Sequence, residues 1–559
     1  MRVKQNSSGL HVHAIPGSHV VVFGFDWPEE RADELQGFAL HRTDHRTGRA
    51  QWVEAQKRYQ STDPGTATGE RVSTRQHPVQ AFLWADYTVN PGQRYTYRVV
   101  ALGGTPAALS ELADVTLDVD TIAKTNSGHR VHFNRGAIAA QEYARRFKNK
   151  APEDVPNHAA FDWLSRGLLE SLLAFIGDAR AGDALHVAIY EARYARVLTA
   201  LAEARQRGVA VDIVYDAKEN GRGDEEPFPR NDNIDMLGGA GLLAGAFART
   251  SNPSYISHNK FIVLSRAGSP AAVWTGSTNW SENGFFGQLN TGHEIWQPAV
   301  AAAFLDYWRL LADDPAATQL REEIADANPL PATWDDTPPG NCASVFSPRA
   351  SREALDRYIG GIADADAVFV TLAFSIDDAL GAALQEESPG LRYVLMDGIK
   401  GTKAQVAALT QTVRDIRATE AARVAVGAYL RGNALDQFLL ERRNPMASHV
   451  QFVHTKFMLI DPLGATPVVI TGSANFSDAS SKKNDENMVV IAGDDEVADI
   501  YLGEFMRSYT HYAFRDAVAS TQGQPFVPKP LNEDRTWAGD YYGEGFRSRQ
   551  RRYFAHAGE

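Results

Sequence analysis

His258-Asn259-Lys260-Phe261, followed by Thr275-Gly276-Ser277-Thr278-Asn279-Trp280-Ser281, recurs later as His454-Thr455-Lys456-Phe457 with Thr471-Gly472-Ser473-Ala474-Asn475-Phe476-Ser477. The glycine stands 18 residues after the histidine in both copies (276 − 258 = 472 − 454 = 18), and the asparagine 21 residues after it (279 − 258 = 475 − 454 = 21). A lone His-x-Lys arises by chance in many chains of this length. Two copies in step through His, Lys, Phe, Thr-Gly-Ser, Asn and Ser do not. The chain is therefore read as two related halves, each donating one histidine, one lysine and one asparagine to a shared site.

The frame around the cassettes is that of a large globular protein. At 559 residues the chain exceeds what one core supports, so two or three domains are expected. Apolar residues make up 44% and charged residues 22%, an ordinary globular balance. The longest uncharged apolar run, Met236–Ala248, falls short of the roughly 20 residues needed to cross a bilayer. Met1-Arg2-Val3-Lys4-Gln5-Asn6 leads into no apolar stretch, so no secretion signal is read and a cytoplasmic location is expected. One cysteine, Cys342, excludes an internal disulfide and agrees with a reducing compartment. With 56 Lys and Arg against 69 Asp and Glu, the net charge of −13 opposes non-specific attraction to nucleic acid.

Outward from the cassettes, helical and strand periodicities alternate from residue 126 onward, the pattern of an α/β layer structure. Phe161–Phe175 carries Leu164, Leu168, Leu172 and Phe175 on one helical stripe; strand Ala184–Tyr190, helix Arg196–Arg207 and strand Val209–Tyr215 follow. The second half repeats the order with helix Arg352–Ile362, strand Ala367–Phe374, helix Asp378–Glu387 and strands Leu391–Met396 and Val424–Leu430. Asp216 and Asp397 close equivalent strands. The halves are placed at 126–312 and 342–515, with the proline-rich stretch Asn328–Gly340 as linker and 516–559 as a tail. Residues 1–118 read as β-structure, with strands His19–Trp27, Gly37–Arg42, Gln80–Tyr87 and Arg94–Leu102 between Gly-, Asp- and Pro-bearing turns. Tyr95, Tyr97 and Val99 alternate onto one face. With Trp27 they resemble a fibronectin type III module, a small β-sandwich, and any small sandwich is the plainer alternative.

Within each cassette, Phe261–Leu264 and Phe457–Ile460 read as buried strands, each followed by a turn and a second strand, Ala271–Thr275 or Pro467–Thr471. Such a hairpin brings the histidine and lysine at one strand's start beside the Gly-Ser-x-Asn at the other's end. His258 and Lys260 are two residues apart and project to one face, as do His454 and Lys456. These residues resemble the phospholipase D superfamily, whose motif is His-x-Lys-x4-Asp with Gly-Ser-x-Asn downstream. The second copy matches through Asp461; the first has Ser265 in place of the acid, which reads as a weakened support position. The resemblance covers roughly 126–515 and implies two α/β halves packed about a pseudo-twofold axis with both cassettes in one cleft.

The resemblance also implies roles. Lys260, Lys456, Asn279 and Asn475 would hold the non-bridging oxygens of a phosphodiester, whose charge otherwise repels nucleophiles. His258 would attack phosphorus to form a phosphohistidine, and His454 would protonate the leaving alcohol and later deprotonate water or an acceptor alcohol. Each histidine needs a carboxylate on its far nitrogen. The expected pairs, from residues 25 to 35 beyond each motif, are His258–Glu486 and His454–Glu294. Ser277, Ser473 and Asp461 are expected to assist in binding substrate, although the serines fit equally as turn residues. No metal and no cofactor are expected, because an ammonium group two residues from each histidine repels cations and offers no lone pair.

The resemblance implies a phospholipase D-type phosphodiesterase that releases phosphatidic acid and an alcohol from phospholipid at a membrane surface. A metal-independent nuclease of the same superfamily, acting on DNA or RNA, is the alternative; a binding protein with a degenerate site is the third. A monomer without a stable protein partner is expected. Met236–Ala248 is either a mobile apolar lid or a helix packed on the core. The basic, aromatic Phe546–Phe554 suits an anionic surface, or is a solvated terminal element.

Overall fold

The computed structural model describes residues 1–65, 70–136, 140–221, 226–251, 255–334, 342–427, 453–520 and 529–558. Residues 428–430 of the expected strand Val424–Leu430, residues 222–225 of the loop before Arg230 and residues 335–340 of the linker lie outside the described residues. The N-terminal region forms two four-stranded antiparallel sheets. One runs Val3–Ser7, Leu10–Pro16, Val21–Asp26, Leu83–Asp86, and the other Ala108–Asp120, Arg94–Thr105, Gly37–Asp44, Arg49–Trp52. Tyr95, Tyr97 and Val99 turn inward while Arg94 faces solvent, the expected alternation of a half-buried strand. The Tyr95 hydroxyl accepts the Asn90 N–H at 3.0 Å, and Trp27 is buried with its indole N–H on the Arg31 carbonyl. The first strand, Val3–Ser7, carries too many polar and exposed positions to stand out by pattern, and the second, Leu10–Pro16, is buried but interrupted by His11 and His13.

The cassette halves are two seven-stranded mixed sheets with one strand order. The first runs His129–Phe133, Thr291–Ile295, Ser269–Gly276, Lys260–Arg266, Ala184–Ile189, Ala210–Asp216, Ala246–Arg249; the second runs Cys342–Ser347, Glu486–Ala492, Val468–Gly472, Phe457–Ile460, Ala367–Leu372, Leu391–Met396, Ala422–Val426. In each, the last three strands are mutually parallel and the remaining pairings antiparallel. The two-residue period sorts the strands between two layers. Phe261, Val263, Phe457 and Leu459 enter one core shared by both sheets, while Ile262 and Leu264, or Met458, enter separate outer cores. Helices Pro298–Ala312 and Asp495–Ala519 supply Phe304, Tyr307, Tyr501 and Phe505 to the shared core. This is an α/β fold of two pseudo-repeated halves behind a small β-sandwich, as the repeated cassettes imply.

Local departures have local causes. The expected helix Phe161–Phe175 is broken into Ala159–Ser165 and Leu168–Gly177, because Arg166 and Gly167 adopt left-handed backbone with φ of 50° and 93°. Arg166 is held there by the buried carboxylate of Glu504, 2.6 Å away. Met236–Ala248 is neither lid nor single helix: it is the end of helix Arg230–Gly239, a short turn and the edge strand Ala246–Arg249. Leu237 and Leu242 anchor it in the outer core of the first half.

The tail is docked. Helix Phe546–His556 lies on the first sandwich sheet, where the rings of His11 and His13 meet the carbonyls of Ala555 and Phe554 and Lys4 donates to Ala557. Gly24 lets the Phe554 backbone approach, since any Cβ there would collide with it. Arg551 and His556 pair with Asp26, and Phe554 reaches the shared core. The basic stretch is thus partly spent inside the molecule. No helix among the described residues is long and apolar enough to cross a membrane.

Candidate active site

Both histidines sit just before a central strand, and the same three devices hold each one. Asp216 at the end of strand Ala210–Asp216 and Asp397 just after strand Leu391–Met396, in each half the second strand over from the one the histidine precedes, accept the backbone N–H of Ser257 (2.8 Å) and Val453 (3.0 Å), the residues preceding the histidines. The histidine N–H groups cross to the opposite half: His258 donates to the Asp485 carbonyl at 2.8 Å and His454 to the Leu289 carbonyl at 3.1 Å. Finally, Gly276 and Gly472 admit the next strand, because a Cβ at either would run into the carbonyl oxygen of Thr291 or Asn487. The Thr-Gly-Ser of each cassette is therefore a close-approach device that brings the following strand under the site.

That strand supplies the far-nitrogen partner. Glu486 Oε2 lies 2.8 Å from Nδ1 of His258, as expected, and its Oε1 accepts the Ser480 hydroxyl and the Asn484 amide. The expected pair His454–Glu294 does not form. His454 Nδ1 instead meets Oδ1 of Asn290 at 2.8 Å. Glu294 lies four residues further along the chain than Asn290, against Arg130, His132 and the Trp296 indole. The register explains the error: Gly276 pairs with Gly292 and Gly472 with Met488, so the positional counterpart of Glu486 is Asn290. Both stand 32 residues after their histidine (290 − 258 = 486 − 454 = 32), a spacing visible in the sequence. Asn290 Nδ2 is committed to the Gly284 carbonyl, which fixes its oxygen toward His454. Each ring thus carries its proton on Nδ1 when neutral, which makes Nε2 the basic nitrogen.

Lys260 and Lys456 are fully buried, each with its ammonium on the carbonyl of its own histidine. Asn279 donates to Glu191 Oε1 at 2.8 Å, and the side-chain oxygens of Asn279 and Asn475 find no partner among the described residues. Ser277 and Ser473 do not face a substrate. Ser277 donates to Asn290 Oδ1 and accepts from the Thr291 N–H; Ser473 accepts from the Asn487 N–H. Asp461 is a second correction. It lies five residues beyond Lys456, roughly 16 Å along an extended strand. There its carboxylate accepts the Ala367 N–H at 2.8 Å, so it ties two strand ends together and cannot touch substrate. Ser265, its counterpart, is buried with its hydroxyl unpartnered among the described residues.

The electrostatics follow from burial. Glu486 is held below the usual carboxylate range against burial by His258 and Lys260. Burial drives His258 down to about 4 and Lys260 down to about 7, with Glu486 opposing both. His454 falls well below the ordinary histidine value through burial and then Lys456, Lys260 and His258; Lys456 falls likewise through burial and Lys260. The bridges Ser257–Asp485 and Leu289–Val453, each running from one half to the other beside a histidine, bring the two cassettes together. Four bases that burial holds short of protons gain from a bound anion.

Sequence reasoning missed four residues. Asn290 was legible from the 32-residue spacing. Tyr190, whose ring lies 5.2 Å from both the His258 ring and the Lys260 ammonium, and Glu191 follow a strand end and carry no motif. Phe374, with its ring 6.5 Å from that of His454 and 5.9 Å from the Lys456 ammonium, is the fourth addition at the site. It was seen only as the end of a strand.

Residues 172–309 and 394–509 match the family model described as "Cardiolipin synthase, PLD-like domain". No curated protein matches the chain. Among solved structures, phosphatidylserine synthase from Haemophilus influenzae Rd KW20 is 10% identical with a TM-score of 0.44, over 70% of this chain and 93% of that one. Nuc from Salmonella typhimurium, a phospholipase D family member, is 20% identical with a TM-score of 0.22, over 34% and 95%. Polyphosphate kinase from Porphyromonas gingivalis is 13% identical with a TM-score of 0.36; the match spans 59% of this chain but only 46% of that one. The family match falls on both halves, 172–309 in the first and 394–509 in the second.

Proposed function

We propose that the chain is a phosphodiesterase working through a phosphohistidine on His258, with phospholipid as substrate. The observation that carries this reading is the pair of buried imidazoles, each fixed through Nδ1 to the opposite half with Nε2 as its basic nitrogen, beside two buried lysines. Lys260 and Lys456, with the asparagine amides, neutralise the non-bridging oxygens in a site closed to water. His258 Nε2 attacks phosphorus; the resulting ring is cationic, and Glu486 at Nδ1 stabilises it. His454 gives its Nε2 proton to the departing oxygen. An imidazolium backed by an amide is a stronger acid than one backed by a carboxylate, so Asn290 suits the donor and Glu486 the nucleophile. In the second step His454 takes a proton from water, which attacks phosphorus and releases His258; an alcohol in place of water gives transfer. The order of the two histidines follows the family resemblance and this asymmetry together.

Phospholipid is favoured over polynucleotide by the description of the matched family, by the net charge of −13 and by the internal use of basic tail residues. The test offers the full chain several phospholipid vesicles, linear and circular DNA, and bis(p-nitrophenyl) phosphate, all in EDTA. His258→Ala and His454→Ala should each lose at least about 10⁴-fold in turnover while unfolding at the wild-type temperature. The His258→Ala protein should trap no ³²P on the chain. Turnover unaffected by either change, or confined to DNA, refutes the mechanism or the substrate respectively.

A further inference from the structure

The two halves also differ where a strand ends beside the site. Val187 pairs with Ile262 and Val370 with Met458, each partner standing two residues after its lysine. Four residues further on lie Glu191 in the first half and Phe374 in the second, which are therefore positional counterparts. Glu191 is buried, bound to Asn279 and tied at 2.7 Å to Arg193. It fills its side of the cleft with a satisfied ion pair. Phe374 instead leaves 47% of its surface exposed and borders a cavity of about 140 Å³. Lys456, Asn475, Phe374, Phe476, Ser477 and Asn484 are among the residues that line the cavity. Among the described residues no carboxylate lines it.

We infer that this cavity receives the leaving alcohol and that Phe374 sets its size and character. The inference rests on the phosphodiesterase reading above. Displacement is in line: as the His258 Nε2–P bond forms, the P–O bond to the leaving group breaks on the opposite side, and that oxygen takes the proton from His454 Nε2. The departing group must then lie on the His454 side, where Phe374 stands. A space of about 140 Å³ compares with the roughly 150 Å³ that holds a benzene molecule. The aromatic wall favours a flat or apolar face, the serine and asparagine groups tolerate hydroxyls, and the missing carboxylate offers a cationic group no counter-charge. The preferred leaving group is a small uncharged alcohol no larger than one ring.

Methyl phenyl phosphate and methyl 2-naphthyl phosphate test this, because their leaving groups are of similar basicity and differ in size. Wild-type protein should prefer the phenyl ester. Phe374→Ala should raise the naphthyl-to-phenyl ratio of kcat/KM by at least about tenfold, the scale on which pocket fit discriminates. Phe374→Leu, a milder change at a half-exposed side chain, should move the ratio the same way. A ratio unchanged in both variants, with their unfolding temperatures at wild type, overturns the inference. Wild-type protein that hydrolyses neither ester, nor bis(p-nitrophenyl) phosphate, defeats the phosphodiesterase reading instead.

Discussion

The two halves share strand order, a glycine approach and an aspartate brace, yet differ wherever a side chain touches a histidine or its surroundings. The first half backs its partner's histidine with Asn290 and fills its flank with Glu191; the second uses Glu486 and leaves Phe374 open. Backbone geometry that must match for two cassettes to meet is duplicated. Chemistry that must differ, because one imidazole attacks while the other donates a proton, is not. A symmetric site would give both rings the same proton affinity and no division of labour.

The largest expected effect breaks that asymmetry at its charged end. Glu486→Gln keeps the hydrogen bond to His258 but removes the charge that stabilises its cationic intermediate; a loss of roughly 10² to 10⁴-fold in kcat is expected. Asn290→Ala, which only frees the His454 ring, should cost roughly 10 to 100-fold. Steady-state kinetics on bis(p-nitrophenyl) phosphate gives both numbers. If Asn290→Ala proves the more damaging, the roles of the two histidines are reversed.

A sharper version makes the halves alike. Asn290→Asp places a carboxylate beside His454 and stabilises its protonated form, so the alkaline limb of the kcat profile should move to higher pH. In the wild-type free enzyme His258 is held down to about 4, Lys260 down to about 7 and His454 well below its ordinary value. The reactive form has His258 neutral with Lys260 and His454 charged. As pH falls below about 7 the fraction of charged Lys260 and His454 rises, so kcat/KM should rise until His258 begins to protonate near 4. A bound phosphodiester anion raises all three values, so the kcat optimum should lie at higher pH than that of kcat/KM. Coincident optima would mean that substrate charge does not restore these protons.

How much of this was legible follows the same division. The repeat, the α/β layering and the convergence of histidine, lysine and asparagine are carried by residue identity at constant spacing. The helix break at Arg166 was not, because it depends on Glu504, which lies 338 residues away in sequence (504 − 166 = 338). Helices Lys403–Ala418 and Asp495–Ala519 were passed over. The second is buried on several sides between the sheets and so lacks a polar stripe. Glu294 was mistaken for the partner of His454 because a carboxylate was sought where the geometry uses an amide. Glu191 and Phe374 act through the end of a strand, a place no motif marks.

The smallest expected effect concerns Asp461, the motif acid that the second half keeps and the first replaces by Ser265. Its carboxylate accepts the Ala367 N–H, and its own N–H donates to the Ala367 carbonyl, at the strand end remote from the histidines. Asp461→Ala leaves the buried Ala367 N–H unmatched and should lower unfolding free energy by about 1–3 kcal/mol, measured by urea titration. Asp461→Asn keeps an acceptor oxygen in place and should lose less. In both proteins kcat/KM for the folded fraction should stay at the wild-type value. A fall in kcat/KM without a fall in stability would return Asp461 to the chemistry; the converse explains why a half with serine at that place still holds its histidine in position.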